Sequence, residues 1–171
     1  MSPTHADLQE LFDQAIARHQ QGDIAQAERR YQQILLMAPA SFAPRHMLGV
    51  IRFQQGRAAE AIELIAAALR INPQAAAAWV NLGNVQTAVG RSEEALTSYR
   101  RALALTPDDV AVRNAESGLL WSLGRHGEAL EAANKVLARV PGDLEALNNR
   151  GNIHRDLKQF DAALADYDRV L

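Results

Sequence analysis

The side chains with the most recognition chemistry in this 171-residue sequence are carboxamides, not nucleophiles. Asn81, Asn84, Asn114, Asn148, Asn149 and Asn152 each carry two N–H donors and an acceptor oxygen on a short, uncharged arm. A row of such groups bonds both the N–H and the C=O of an extended peptide without selecting its sequence. The same residues also serve as solvated helix surface, and both readings stand at this level. No catalytic constellation accompanies them. His5, His19, His46, His126 and His154 are scattered, with no H-x3-H pair and no HExxH. The glycines do not form a phosphate-binding loop, and cysteine is absent, which excludes thiolate chemistry, disulfides and cysteine-ligated zinc. No catalytic residue, metal or cofactor is expected.

Composition narrows the partners. Eighteen basic residues against twenty acidic ones give a net charge of −2. No basic excess is available to neutralise phosphates, so nucleic acid is not an expected partner. Residues 1–7 lack the charged-then-apolar pattern of a signal peptide, and no apolar run reaches the length of a membrane span. A cytoplasmic protein that does not touch membranes is the resulting expectation.

The elements that must position the asparagines follow from one period. Pro39, Pro73, Pro107 and Pro141 are 34 residues apart, and Gly22, Gly56, Gly90 and Gly124 keep the same step. So do Ala27, Ala61, Ala95, Ala129 and Ala163, and Leu35, Leu69, Leu103, Leu137 and Leu171. Four residue types locked to one period define repeats at 8–41, 42–75, 76–109, 110–143 and 144–171, the last incomplete, within a single domain over 1–171. Each repeat splits into two amphipathic stretches of about thirteen residues, joined after a glycine. That glycine suits a left-handed helix exit, and the proline stops the second helix. Small residues at the eighth position (Ala15, Gly49, Gly83, Ser117, Gly151) let paired helices approach, and the bulk at position 24 (Tyr31, Ile65, Tyr99, Tyr167) is expected between repeats. The fourth repeat departs most, with Arg113, Glu116 and Ala133 in place of apolar bulk, and is expected to be the most irregular.

Trp79, Leu82, Gly83, Gly90, Ala95, Tyr99, Ala102 and Pro107 of the third repeat resemble the tetratricopeptide consensus W-x2-L-G…A-x3-F…P, and the resemblance runs from Leu8 to the end. It implies an all-α, right-handed solenoid of five antiparallel helix hairpins whose first helices line a concave groove. The groove candidates it selects are Phe12, Met47 and Phe53 at an apolar amino end, then Asn81, Asn84, Asn114, Trp121, Asn148, Asn149 and Asn152. The apolar three are read either as a docking patch or as core. Asn81 and Asn149, at the sixth position, resemble the asparagine ladder of the O-GlcNAc transferase repeats; Asp13, Met47 and Ala115 interrupt that ladder. The cationic clamp used for acidic chaperone tails is not matched, because Phe12, Ile16 and Ala77 occupy its places.

Leu171 falls at position 28, before any terminating proline and without a polar capping helix, as expected of the amino-terminal piece of a longer protein. A natural stop with self-association through that end is the other reading. The function implied is a protein-interaction scaffold for a peptide or helical segment. The alternatives are the substrate-recognition arm of a larger enzyme such as an O-GlcNAc-transferase-like glycosyltransferase, and a self-assembling adaptor.

Overall fold

The computed structural model of the protein describes residues 4–170, and every element among them is an α-helix. The position-28 role of Leu171, and the start of the amino-terminal extension at residues 1–3, lie outside the described residues. The helices fall into two compact units, one up to Val89 and one from Gly90. The first holds α1 (His5–Gln20), α2 (Ile24–Met37), α3 (Phe42–Gln54), α4 (Ala58–Ile71) and α5 (Ala76–Ala88). The second holds α6 (Ser92–Leu105), α7 (Val110–Ser122), α8 (His126–Arg139), α9 (Leu144–Asp156) and α10 (Phe160–Tyr167). In the first unit α1 pairs with α2 and α3 with α4, while α2 packs on α3 and α4 on α5. In the second, α7 pairs with α8 and α9 with α10; α6 packs on α7, α8 on α9, and α7 lies beside α9.

Local sequence sets both ends of these helices. Gly22, Gly56 and Gly124 leave the preceding helix with φ of 79°, 75° and 71°. The next residue donates back over five positions, as in Arg57 N–H to Arg52 O at 2.8 Å and Arg125 N–H to Leu120 O at 2.9 Å, which satisfies carbonyls the helix leaves open. The fifth repeat makes the same turn without glycine, with Lys158 at φ 60°. At the other loops, Ala38, Asn72, Thr106 and Val140 hold φ between −126° and −137°. Each precedes a proline whose ring disfavours the helical region for its neighbour, so the second helices end there. Asp109 and Asp143 then cap α7 and α9 by accepting from the backbone N–H groups of Val112 and Ala146.

Packing within a hairpin turns on one close contact. A Cβ added to Gly49 would sit 2.6 Å from Ile65 Cγ1, and one added to Gly151 would sit 2.5 Å from the Tyr167 ring. Position 24 therefore lies on the small eighth residue of its own hairpin, and Tyr31 and Ile65 also pack on the next repeat, against Leu48 and Ile51 and against Ala78 and Leu82, as expected. The fourth repeat inverts the volumes: Ser117 and Ala133 are both fully buried, and Ser117 Oγ donates to Ala129 O at 2.9 Å. Apolar burial is distributed along the chain rather than gathered in one centre. Ala15, Ala27, Tyr31, Leu48 and Ile51 form one cluster, and Ala61, Ile65, Leu69, Ala78, Leu82 and Val85 the next. Val136, Leu137, Ala146 and Leu147 form a third, in the second unit.

Charged clamps join neighbouring elements along the hairpin flanks. Buried Arg52 on α3 meets Glu28 on α2 at 2.7 Å and Glu60 on α4 at 3.4 Å. Arg150 on α9 binds both Asp166 oxygens on α10, at 2.9 and 2.6 Å, and donates to Asn134 on α8 at 2.8 Å. The same device explains why the fourth repeat is regular despite its sequence. α7 and α8 have 13 and 14 residues, as α3 and α4 do. Glu116, only 7% exposed, is held by Arg100 at 3.1 Å and Arg113 at 3.6 Å, so its charge is not buried alone. Arg113 also donates to Pro107 O at 2.7 Å, as the Trp79 indole donates to Pro73 O at 2.9 Å. The hydrogen bond to the proline carbonyl is retained where the aromatic volume is not.

Two stability outcomes follow. Lys158→Gly relieves a left-handed residue with a Cβ and raises the unfolding free energy by about 1 kcal/mol, read as a higher denaturant midpoint. Gly49→Ser costs roughly 1–3 kcal/mol in the native background and close to nothing once Ile65→Ala has emptied the space above it. A double-mutant cycle by chemical denaturation measures that coupling.

Candidate functional site

The candidate residues lie on the first helices of successive repeats. In the first unit these are α1, α3 and α5. Phe12 is half-buried and packs on Tyr31, ring centroids 5.8 Å apart, while half-buried Met47 joins the same cluster. Phe53, also half-buried, packs against the Ile65–Leu82 cluster. The apolar trio therefore contributes to the core with one side of each residue. Beyond it, the Asn81 side chain lies 2.9 Å from His46 Nε2, and Asn84 is exposed one turn later. His46 is 9% exposed and stacks on Phe42 at 5.6 Å. Burial disfavours its charged form and lowers its pKa below the ordinary 6.5. A neutral ring has an unprotonated nitrogen for the Asn81 amide to donate to.

In the second unit the wall is α7 and α9. Asn114 is buried, and its Nδ2 donates to Asp143 Oδ1 at 2.8 Å, at the cap of α9. Asn149 is half-buried and donates through Nδ2 to the Asn114 carbonyl at 3.3 Å. Asn148 is exposed beside it. The Trp121 indole donates to Asp156 Oδ2 at 2.7 Å, and this bond, with Arg155, holds the Asp156 carboxyl below the usual carboxylate range. Asn152 accepts the Tyr167 hydroxyl at 2.9 Å, which turns its oxygen toward α10. Asn148 and Asn149 are thus presented outward, Asn152 is half-turned, and Asn114 stands behind them.

A single rule organises these contacts. His19–Gln54, His46–Asn81, Asn114–Asn149 and Trp121–Asp156 are all 35 residues apart. A residue on one first helix meets the residue one place further along the next, because side chains project obliquely from neighbouring parallel helices. The 34-residue period relates equivalent positions, so Asp156, Gln54 and Asp143 are not legible from it as partners. A search at a separation of 35 finds the first two. Among the described residues, no group of three or more His, Cys, Asp or Glu is placed to hold a metal ion, and no helix is long and apolar enough to cross a membrane.

The tetratricopeptide repeat family model matches residues 12–76, 46–110 and 114–171. The chain belongs to the tetratricopeptide repeat family. Solved structures agree at the level of fold. The chain superposes on MamA with a TM-score of 0.86 at 22% identity, covering 91% of each chain. It matches MamA from Desulfovibrio magneticus RS-1 at 0.88 and 15% identity, covering 95% of this chain and 92% of that one. YrrB, described as a TPR protein with an unusual peptide-binding site, gives 0.85 at 21% identity over 94% of this chain and 82% of its own. A search of the curated proteins found no match. The tetratricopeptide fold is thus the all-α solenoid of helix hairpins that the 34-residue period implies.

The His46 contact carries a pH dependence with a defined sign. Folding favours the neutral ring, so its contribution is complete above pH 6.5 and is lost as pH falls below that value toward the lower folded pKa. The melting temperature is expected to drop between pH 7 and 5, and His46→Gln removes His46's share of that slope, measured by thermal unfolding at matched ionic strength.

Proposed function

We propose that this chain is a protein-interaction scaffold that holds an extended peptide segment of a partner against the wall of first helices. The observation that carries this reading is the paired presentation of Asn148 and Asn149: one is exposed, and the other is anchored through Nδ2 so that its oxygen remains available. Fixed carboxamides on a rigid helix face recognise peptide N–H and C=O groups with little loss of side-chain entropy on binding. In the first unit, Asn81 and Asn84 offer the corresponding amides. The half-exposed sides of Phe12, Met47 and Phe53 add apolar margin there. Trp121, braced by Asp156, adds a flat aromatic contact on α7. The fold shared with YrrB, described as carrying a peptide-binding site, supports the class of ligand.

Peptides selected from a random 15-residue display library on the wild-type protein provide the probe. Removing two amide hydrogen bonds at roughly 0.5–1.5 kcal/mol each should weaken them about tenfold or more. Asn148→Ala/Asn149→Ala is therefore expected to lower affinity by that factor in fluorescence anisotropy, with the melting temperature nearly unchanged. Affinity within twofold of wild type would remove the amide wall from the binding surface.

A further inference from the structure

One residue on α7 is unexplained by packing. Gly118 sits at the ninth of thirteen positions in the helix, where glycine is less favourable than alanine because it leaves the unfolded chain freer. Gly49 and Gly151 have a steric reason to be glycine, since an added Cβ would meet a neighbour at 2.6 or 2.5 Å. Gly118 has none. Its nearest neighbours beyond its own helix would be Asn149 Oδ1 at 3.8 Å and Nδ2 at 3.9 Å, ordinary contact distances. The position faces the wall: Gly118 is partly exposed, and its equivalents one repeat apart are Ile16, Val50, Asn84 and Asn152. A side chain is missing only there, beside the Asn149 carboxamide and one turn before Trp121.

We infer that Gly118 is a binding-site residue: it forms a notch in which the main chain of the bound peptide lies against the bare helix backbone, with Asn149 Oδ1 accepting a peptide N–H. This deepens the proposed function and rests on it. The chemistry points to a donor. The Asn149 Nδ2 is already engaged by the Asn114 carbonyl, which leaves Oδ1, 3.8 Å from the notch, as the acceptor. The absent Cβ matters because a peptide backbone approaching a helix closely enough to hydrogen-bond the wall amides is held off by any side chain directly beneath it.

The test compares two alanine substitutions at helical glycines where an added Cβ meets no clash. Gly127, in α8, has no neighbour within 4 Å of an added Cβ, as Gly118 has none closer than 3.8 Å. Gly118→Ala and Gly127→Ala should both leave the melting temperature equal to or above wild type, by up to about 4 °C. Against peptides selected from the random library on wild-type protein, Gly118→Ala is expected to weaken binding at least tenfold, and Gly127→Ala by less than twofold. Equal affinity in Gly118→Ala, alongside loss in Asn148→Ala/Asn149→Ala, would overturn the notch while leaving the amide wall intact. A wild-type protein that selects no peptide would overturn both.

Discussion

The distance between the two helices of a hairpin is set where a side chain on the second lies directly on a residue too small to hold it away. Ile65 over Gly49 and Tyr167 over Gly151 are the clearest cases, each leaving no room for even one added carbon. In the fourth repeat the volumes are exchanged: Ser117 and Ala133 are both fully buried, and the Ser117 hydroxyl reaches across to Ala129 O. Where that spacing is fixed, the first helix of the hairpin is held against the second. Everything on its outer side, including the amide wall, inherits its placement from this contact. Interiors at near-crystalline density make such a spacing stiff.

Polar groups do a second kind of work between elements. Arg52, Arg100 and Arg150 each reach two neighbouring helices and meet a carboxylate that is itself largely withdrawn from water. Buried pairs of this sort contribute less to net stability than their Coulomb attraction suggests, because both ions lose hydration. They penalise misregistered stacking instead, since a hairpin shifted by one turn leaves a buried carboxylate without its arginine. Arg113 shows the same economy of role. It keeps the bond to the proline carbonyl that Trp79 makes through its indole, and it neutralises Glu116. The fourth repeat tolerates Arg113 and Glu116 because they satisfy one another.

The wall of first helices combines two classes of residue that look alike in sequence. Asn114 and Asn149 are both asparagines on adjacent first helices, yet one is buried against the cap of α9 and the other stands half in solvent. The buried one supplies the carbonyl that fixes the exposed one. Positioning is therefore internal to the wall and does not wait for a ligand. Preorganisation of this type lowers the entropy lost on association.

The period of 34, carried by Pro39, Pro73, Pro107 and Pro141 and by the four turn glycines, determined the helix hairpins, because φ-restricted and φ-permissive residues act through local backbone sterics. The amphipathic spacing likewise marked the two helices of each repeat, and the tetratricopeptide resemblance implied that the first of them carries the asparagine candidates. The tertiary structure alone decided which of them remain open. Asn114 and Asn149 differ because each first helix meets the next one place further along, which pairs residues 35 positions apart instead of 34. Lateral packing between helices is a property of the stack, so no repeat read by itself contains it. The same holds for Gly118, whose sequence context gives no sign that an added Cβ would meet only the Asn149 carboxamide at ordinary contact distance, while Gly49 and Gly151 are glycines because a Cβ would clash.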